Sequence, residues 1–187
     1  MKVYIILIRG INVGGKSMVP MATLRACLEG LGFVGVTTYI ASGNVILQSD
    51  KTAAEIKLQI EQALVDDFDL DEKMAKVLVI SSDQMRQVIE GKPKGFGDQP
   101  DKYHSDVIFM IDMDVARAMT VFAPRDGVDT IWPGNGVIYS QRLSAERTKS
   151  RLNKIMGTAA YKSMTIRTWN TAVKLLAMIN DVNDQSN

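Results

Sequence analysis

One cysteine, Cys27, and one histidine, His104, stand in the whole 187-residue sequence. No disulfide can form within such a chain, and Cys and His ligands cannot assemble into a zinc cluster. A dominant charge is missing too. Twenty-two basic residues against 21 acidic ones leave a net charge of +1, which excludes a polycation built for nucleic acid. The N-terminal apolar run, Val3 to Ile8, is too short to export the chain or to span a bilayer, and no small-residue cleavage site follows it. It reads as a buried first strand. Nothing directs the chain elsewhere, so the sequence points to a cytoplasmic protein with no membrane segment. Aromatic residues make up 6%, few for strands that stack bases, and no RNP-type motif occurs.

With 46% hydrophobic and 23% charged residues, the chain can bury a real core. Cys27 has helical spacing with Leu24, Leu28 and Leu31 and reads as a small core residue. His104 falls in a polar loop ahead of an apolar strand. Charge is unevenly spread. Acids dominate from Asp50 to Glu72, and bases from Arg142 to Lys174.

The element pattern is that of an α+β protein. A strand over Lys2 to Arg9 precedes a helix from Pro20 to Leu31. Strands over Val36 to Ile40 and Asn44 to Gln48 are separated by Ala41-Ser42-Gly43 and read as an antiparallel hairpin. Thr52-Ala53-Ala54-Glu55 is a capping box for a helix to Asp67, with Ile56, Ile60, Ala63 and Leu64 inward. A strand over Lys76 to Ile80 and a helix from Ser81 to Glu90 complete a ferredoxin-like β-α-β-β-α-β N-terminal half. Residues 1–90 are expected to form this subdomain and 91–102 a linker. Residues 103–180 are then a second, partly similar α+β subdomain with a helical C-terminus. Its elements are a strand over Asp106 to Ile111, a helix over Asp114 to Phe122, and a hairpin of Asp129 to Trp132 with Val137 to Gln141. Helical pattern follows over Lys149 to Ile155 and Trp169 to Ile179, with a short β-like run between, Met164 to Thr168. The two halves could share one sheet.

Gly10-Ile11-Asn12-Val13-Gly14-Gly15-Lys16-Ser17 satisfies the P-loop pattern G-x-x-x-x-G-K-[ST] and follows a strand. Asp112, ending the apolar run from Val107, would be its magnesium-side carboxylate; its plainer role is to cap the next helix. Two physical objections outweigh the match. In a P-loop the helix starts near Gly15-Lys16, so Pro20 would lie inside it and strike the carbonyl of Lys16, at about 3 kcal/mol. P-loop sheets are also largely parallel, whereas the next strands here form a hairpin.

The runs Leu7-Ile8-Arg9-Gly10-Ile11-Asn12-Val13-Gly14-Gly15-Lys16, Val19-Pro20-Met21 and Thr38-Tyr39-Ile40-Ala41-Ser42-Gly43-Asn44-Val45 are specific. With Thr165-Ile166-Arg167-Thr168-Trp169-Asn170-Thr171 near the C-terminus, they carry a resemblance over nearly the whole chain. The sequence resembles a bacterial family of uncharacterised proteins, domain of unknown function family 1697. Ser17 stands where that family commonly has Asn, Ala41 where Gln is frequent, and Thr168 where Asn is usual. The resemblance implies a shared fold and brings no activity with it.

Packing accounts for Ile5, Leu7, Val13, Leu24, Val45 and Leu176. It accounts less well for Arg9, Asn12, Lys16, Ser42 and Asn44 at strand ends, or for Lys149, Arg151, Arg167, Asn170 and Lys174. Turn chemistry is the plain reading of Asn12, Ser42 and Asn44, and solvated surface that of the bases. On the last helix Asn170 and Lys174 share one face, with Trp169, Val173 and Leu176 on another.

The sharper reading is that Gly14 and Gly15 let backbone N–H groups approach a phosphate or carboxylate. Lys16 and Arg167 then add charge, and the loop and the C-terminal segment share one anionic small molecule. No catalytic residue, metal or cofactor is assigned. Single-stranded nucleic-acid binding and a P-loop-like phosphotransferase are the alternatives, neither favoured; oligomeric state stays open.

Overall fold

The computed structural model describes residues 1–15, 17–71 and 75–184. They divide into two compact units, Met1–Met85 with Leu175–Asn187, and Arg86–Lys174. Its two boundaries fall inside two helices, Ser82–Glu90 and Trp169–Asp184, and residues 91–102, expected as a linker, belong to the second unit.

In the first unit the order is β1 (Lys2–Ile8), α1 (Met21–Gly30), β2 (Val34–Tyr39), β3 (Asn44–Ser49), α2 (Ala53–Asp66) and β4 (Val77–Ser81), after which α3 (Ser82–Glu90) begins. The strands line up as β2-β3-β1-β4, with β1 antiparallel to both of its neighbours. This is the ferredoxin-like sheet expected from the sequence. Alternate residues of β1, Tyr4, Ile6 and Ile8, pack with Leu24 and Leu28 of α1 and with Ile56, Ile60 and Leu64 of α2. Each fully buried Leu or Ile contributes roughly 1.5–3 kcal/mol. Thr52 and Glu55 close the expected capping box on α2. Pro20 stands one position earlier than expected, as the N-cap of α1, with φ −63°. Ile40 is not the last residue of β2. It lies in the turn with φ +48°, and Gly43 (φ +78°) closes that turn where a Cβ would come within 2.9 Å of Ile8 Cβ. Val13, expected in the core, is 66% exposed.

The second unit repeats this topology in a separate sheet, so the two halves do not share one. Its elements are β5 (Tyr103–Met110), α4 (Val115–Met119), β6 (Asp129–Pro133), β7 (Val137–Leu143) and β8 (Met164–Thr168), and α5 (Trp169–Asp184) follows. The strand order β6-β7-β5-β8 matches the first sheet position for position, with β5 antiparallel to β7 and β8. The second crossover is not a helix. The pattern read over Lys149 to Ile155 resolves into three 3-10 segments, Ser144–Lys149, Leu152–Gly157 and Ala159–Ser163. Their buried Leu152, Ile155 and Ala160 are too sparse to hold an α-helical stripe. Asp114 caps α4 through the Arg117 N–H, so the capping role considered for Asp112 falls two residues later. On α5 the buried stripe is Trp169, Ala172, Leu175 and Ile179, while Val173 is 41% exposed.

One face of the second sheet carries Ile108, Met110, Ile138 and Met164 against Ala118 of α4 and Ile155 and Ala160 of the 3-10 segments. The other face is organised by the 91–102 segment. Phe96 is fully buried, with its ring edge-on to Trp132, Tyr139 and Trp169 at 5.9, 5.2 and 5.2 Å between centroids. Gly97 follows with φ +76°, and a Cβ there would lie 2.4 Å from the Trp169 ring. No described helix is long and apolar enough to cross a membrane.

Candidate functional site

β1 and β3 run antiparallel with Leu7 opposite Asn44, so the end of β1 meets the start of β3. There the structure gathers Arg9, Asn12, Gly14, Gly15, Ser42 and Asn44 from the sequence-derived set. Ile11 is buried at 2% exposure and pins the loop to the core. The Asn12 side chain does the bracing. Its Oδ1 accepts from the Val19 N–H at 2.8 Å, and its Nδ2 donates to the Val19 carbonyl at 2.9 Å and to the Ala41 carbonyl at 2.8 Å. One amide therefore ties the loop to α1's approach and to the β2–β3 turn. The Asn12 N–H donates to the Ser17 carbonyl at 3.0 Å and closes the loop.

Between these ties the backbone turns left-handed repeatedly, at Gly10 (+67°), Asn12 (+56°), Gly14 (+59°), Gly15 (+73°) and Ser17 (+51°). Gly14 and Gly15 are exposed, and a Cβ on either would meet nothing within 4 Å. Lys16 lies outside the described residues. Three residues separate Ser17 from α1, so no helix N-terminus adjoins the glycines as in a P-loop.

Asn44 and Ser42 follow turn chemistry. Asn44 is fully buried, and its Nδ2 donates to the Tyr39 carbonyl and to Ser42 Oγ, both at 3.0 Å. Arg9 is buried at 7% exposure, and its N–H donates to the Lys76 carbonyl. Cys27, expected in the core, is only half-buried because α1 turns it toward Asp67, whose Oδ2 accepts from the thiol at 3.2 Å. Burial first, then the Asp67 hydrogen bond and charge, push the thiol up to about 11.

The C-terminal basic positions do not form one group within the second unit. The Arg151 N–H donates to Asp129 Oδ2 at 2.8 Å, and exposed Lys149 pairs with Glu146. Arg167 faces the opposite side of the sheet, alternating with Ile166, and donates to Thr165 Oγ1 at 2.8 Å. Burial pulls its guanidinium down to about 10. Asn170 and Lys174 are exposed on α5.

The sequence reading missed the polar end of the second sheet. Asp129, Arg142 and His104 stand on one rung across β6, β7 and β5, and Asp106 lies on the next rung of the same face. His104 Nε2 is 3.1 Å from Asp106 Oδ1, and Arg142 Nη2 is 4.0 Å from Asp106 Oδ2. Burial raises the Asp106 carboxyl against the pull of His104 and Arg142. Burial also works to raise Asp129, but the Ser150 hydroxyl and the Arg151 and Arg125 N–H groups, with the Arg142 charge, hold it below the usual range.

All buried side-chain atoms without a partner among the described residues lie on this rung or the adjacent one: Asp129 Oδ1, Arg142 Nε, Gln141 Nε2 and Ser105 Oγ. Native proteins leave few such groups, and each calls for a water, a ligand or a strain account. The available sequence signal was His104-Ser105-Asp106, which places His and Asp on one strand face.

The comparisons with known proteins agree with this fold. The family model described as "Protein of unknown function (DUF1697)" matches residues 1–139, and the chain belongs to that family. The chain is similar to a solved structure, the conserved bacterial protein SP0830 from Streptococcus pneumoniae. The two share 25% identity with a TM-score of 0.79, over 95% of this chain and 98% of that one. No curated protein matches.

Proposed function

We propose that this protein binds an anionic small molecule, bearing a phosphate or a carboxylate, on the Gly10–Ser17 loop. The observation that carries this reading is the run of left-handed residues held on a braced base. The φ sign changes between Val13 and Gly14, a pattern in which successive N–H groups form an anion-binding concavity. The space around Gly14 and Gly15 is open, so a ligand can reach the backbone there. Lys16 follows the glycines in sequence and is assigned the charge.

Ile40 gives independent support. A β-branched residue with φ +48° and 51% exposure holds strain of about 1–3 kcal/mol, and it adjoins the carbonyl that Asn12 grips. Strain of this kind concentrates at functional sites. Lys149, Arg151, Arg167, Asn170 and Lys174, the C-terminal positions read from the sequence, belong to the second unit, and the proposal rests on the loop alone.

The test is thermal stabilisation by inorganic phosphate, sugar phosphates, nucleotides, CoA derivatives and simple carboxylates. One anion class is expected to raise the melting temperature progressively with its concentration, the stabilisation reaching about 2.7 kcal/mol at a hundredfold excess over Kd, with the response lost in Lys16→Ala. Absence of a concentration-dependent response specific to one class refutes the reading.

A further inference from the structure

The two units cover their sheets with side chains of different size. In the first, the second crossover is α2, which packs Ile56, Ile60 and Leu64 on the sheet. In the second, the last 3-10 segment of that crossover begins with Ala159 and Ala160, and α4 across from it is only five residues long, Val115–Met119. Small side chains and a short helix leave the space between them unfilled. A cavity of about 380 Å³ remains there, with Ala159 and Ala160 on one side and Arg117 and Thr120 on the other. Small-molecule sites fall in the range of roughly 300–1,000 Å³.

The polar lining divides by chemistry. Arg117 is exposed, and among the described residues it forms hydrogen bonds only through its backbone N–H and carbonyl. Its guanidinium is therefore a cation beside the cavity with no carboxylate of its own, and its paired donors match one. The two threonine hydroxyls are acceptors instead. Thr120 Oγ1 donates to the Arg117 carbonyl at 2.8 Å and Thr158 Oγ1 to the Ile155 carbonyl at 2.7 Å. With those hydrogens committed to the backbone, each oxygen meets a ligand through its lone pairs. Asp112 adds a carboxylate to the same lining, and the three groups together suit an ammonium. The rest of the wall is apolar, with Met113 and Val121 half-buried against the core beside Ala160.

We propose that this cavity binds a free α-amino acid with an apolar side chain. Arg117 takes its carboxylate, Asp112 with Thr120 and Thr158 takes its ammonium, and Met113, Val121 and Ala160 cover its side chain. The site lies wholly in the second unit and stands or falls without the glycine loop.

The probes are leucine and two analogues that each lack one charged group, isopentylamine and 4-methylpentanoate. Each is titrated into the full chain with methionine and valine methyl groups labelled, and the Met113 and Val121 resonances are followed by NMR. Leucine is expected to move both saturably, and each analogue to bind about tenfold more weakly, the loss of one charge-assisted contact. Arg117 and Asp112 are exposed, so substitutions there should keep the fold. Arg117→Met is expected to bring leucine and isopentylamine to about the same affinity, and Asp112→Asn to do so for leucine and 4-methylpentanoate. No saturable movement with leucine, valine or methionine overturns the proposal. So does an analogue that binds as tightly as leucine to the parent, or a preference for leucine that survives the substitution aimed at it.

Discussion

The two units share one strand order and solve its crossovers differently. In the first, both crossovers are α-helices, and α2 has a complete capping box and a continuous buried stripe of Ile56, Ile60, Ala63 and Leu64. In the second, one crossover is the short α4 and the other is three 3-10 segments. The unsatisfied buried polar atoms among the described residues fall wholly in the second unit. Among the described residues of the first unit no buried side-chain N or O atom lacks a partner, and five of its left-handed residues fall in the Gly10–Ser17 loop. The second leaves polar frustration inside the sheet itself. Topology alone does not decide where a fold can carry a site; the sequence covering the crossover does.

Both tryptophans, Trp132 and Trp169, lie in the second unit, so their fluorescence reports on it while circular dichroism reports on the whole chain. The comparison can be broken hardest at two glycines. Gly97→Ala places a Cβ against Trp169 and Gly43→Ala one against Ile8, each in a left-handed backbone, at about 2–5 kcal/mol. Gly97→Ala is expected to advance loss of tryptophan fluorescence over loss of circular dichroism on heating, and Gly43→Ala to do the reverse. Identical shifts of both probes in both variants would contradict the division.

Asp129→Asn comes next. Its carboxylate holds the Arg125 and Arg151 N–H groups, and the variant should lose roughly 1–3 kcal/mol at neutral pH. The folded Asp129 carboxyl is depressed, so its contribution is present above the unfolded value near ~3.9 and is lost as pH falls through the folded one. Denaturant midpoints of parent and variant should converge in acid. A gap that stays constant with pH would mean the charge does nothing.

A smaller effect, of opposite sign, is expected in the first unit. Ile40→Asn gives the left-handed position a residue that tolerates it and should stabilise by about 1 kcal/mol, seen as a higher denaturant midpoint. The smallest concerns Cys27. With its thiol held near 11, alkylation at neutral pH should be slow, and Asp67→Asn should speed it several-fold. Unchanged alkylation in that variant would remove the Asp67 influence.

Much of this fold was legible in the sequence because its signals were local. Thr52-Ala53-Ala54-Glu55, the continuous apolar run of the first strand and the turn Ala41-Ser42-Gly43 each specify geometry within a few residues. The 3-10 crossover was not legible, since Leu152 and Ile155 share a spacing that a helix and a 3-10 turn both satisfy. Val13 and Cys27 misled because apolar character was taken for burial, whereas loop geometry and Asp67 decide their exposure. Asn12 was legible as a turn residue, but not that its one amide grips Val19 and Ala41 together. The His104, Asp106, Arg142 and Asp129 group depends on the register of three strands, which no local pattern encodes.

The claim at the centre of this account is that the glycine loop holds an anion through its backbone. It is tested most directly by following the amide resonances of Gly14 and Gly15 while the isotopically labelled full chain is titrated with inorganic phosphate. The account predicts saturable movement of both amides, lost in Lys16→Ala, with the His104 ring unmoved. Movement spread over many exposed lysines with Gly14 and Gly15 stationary would contradict it.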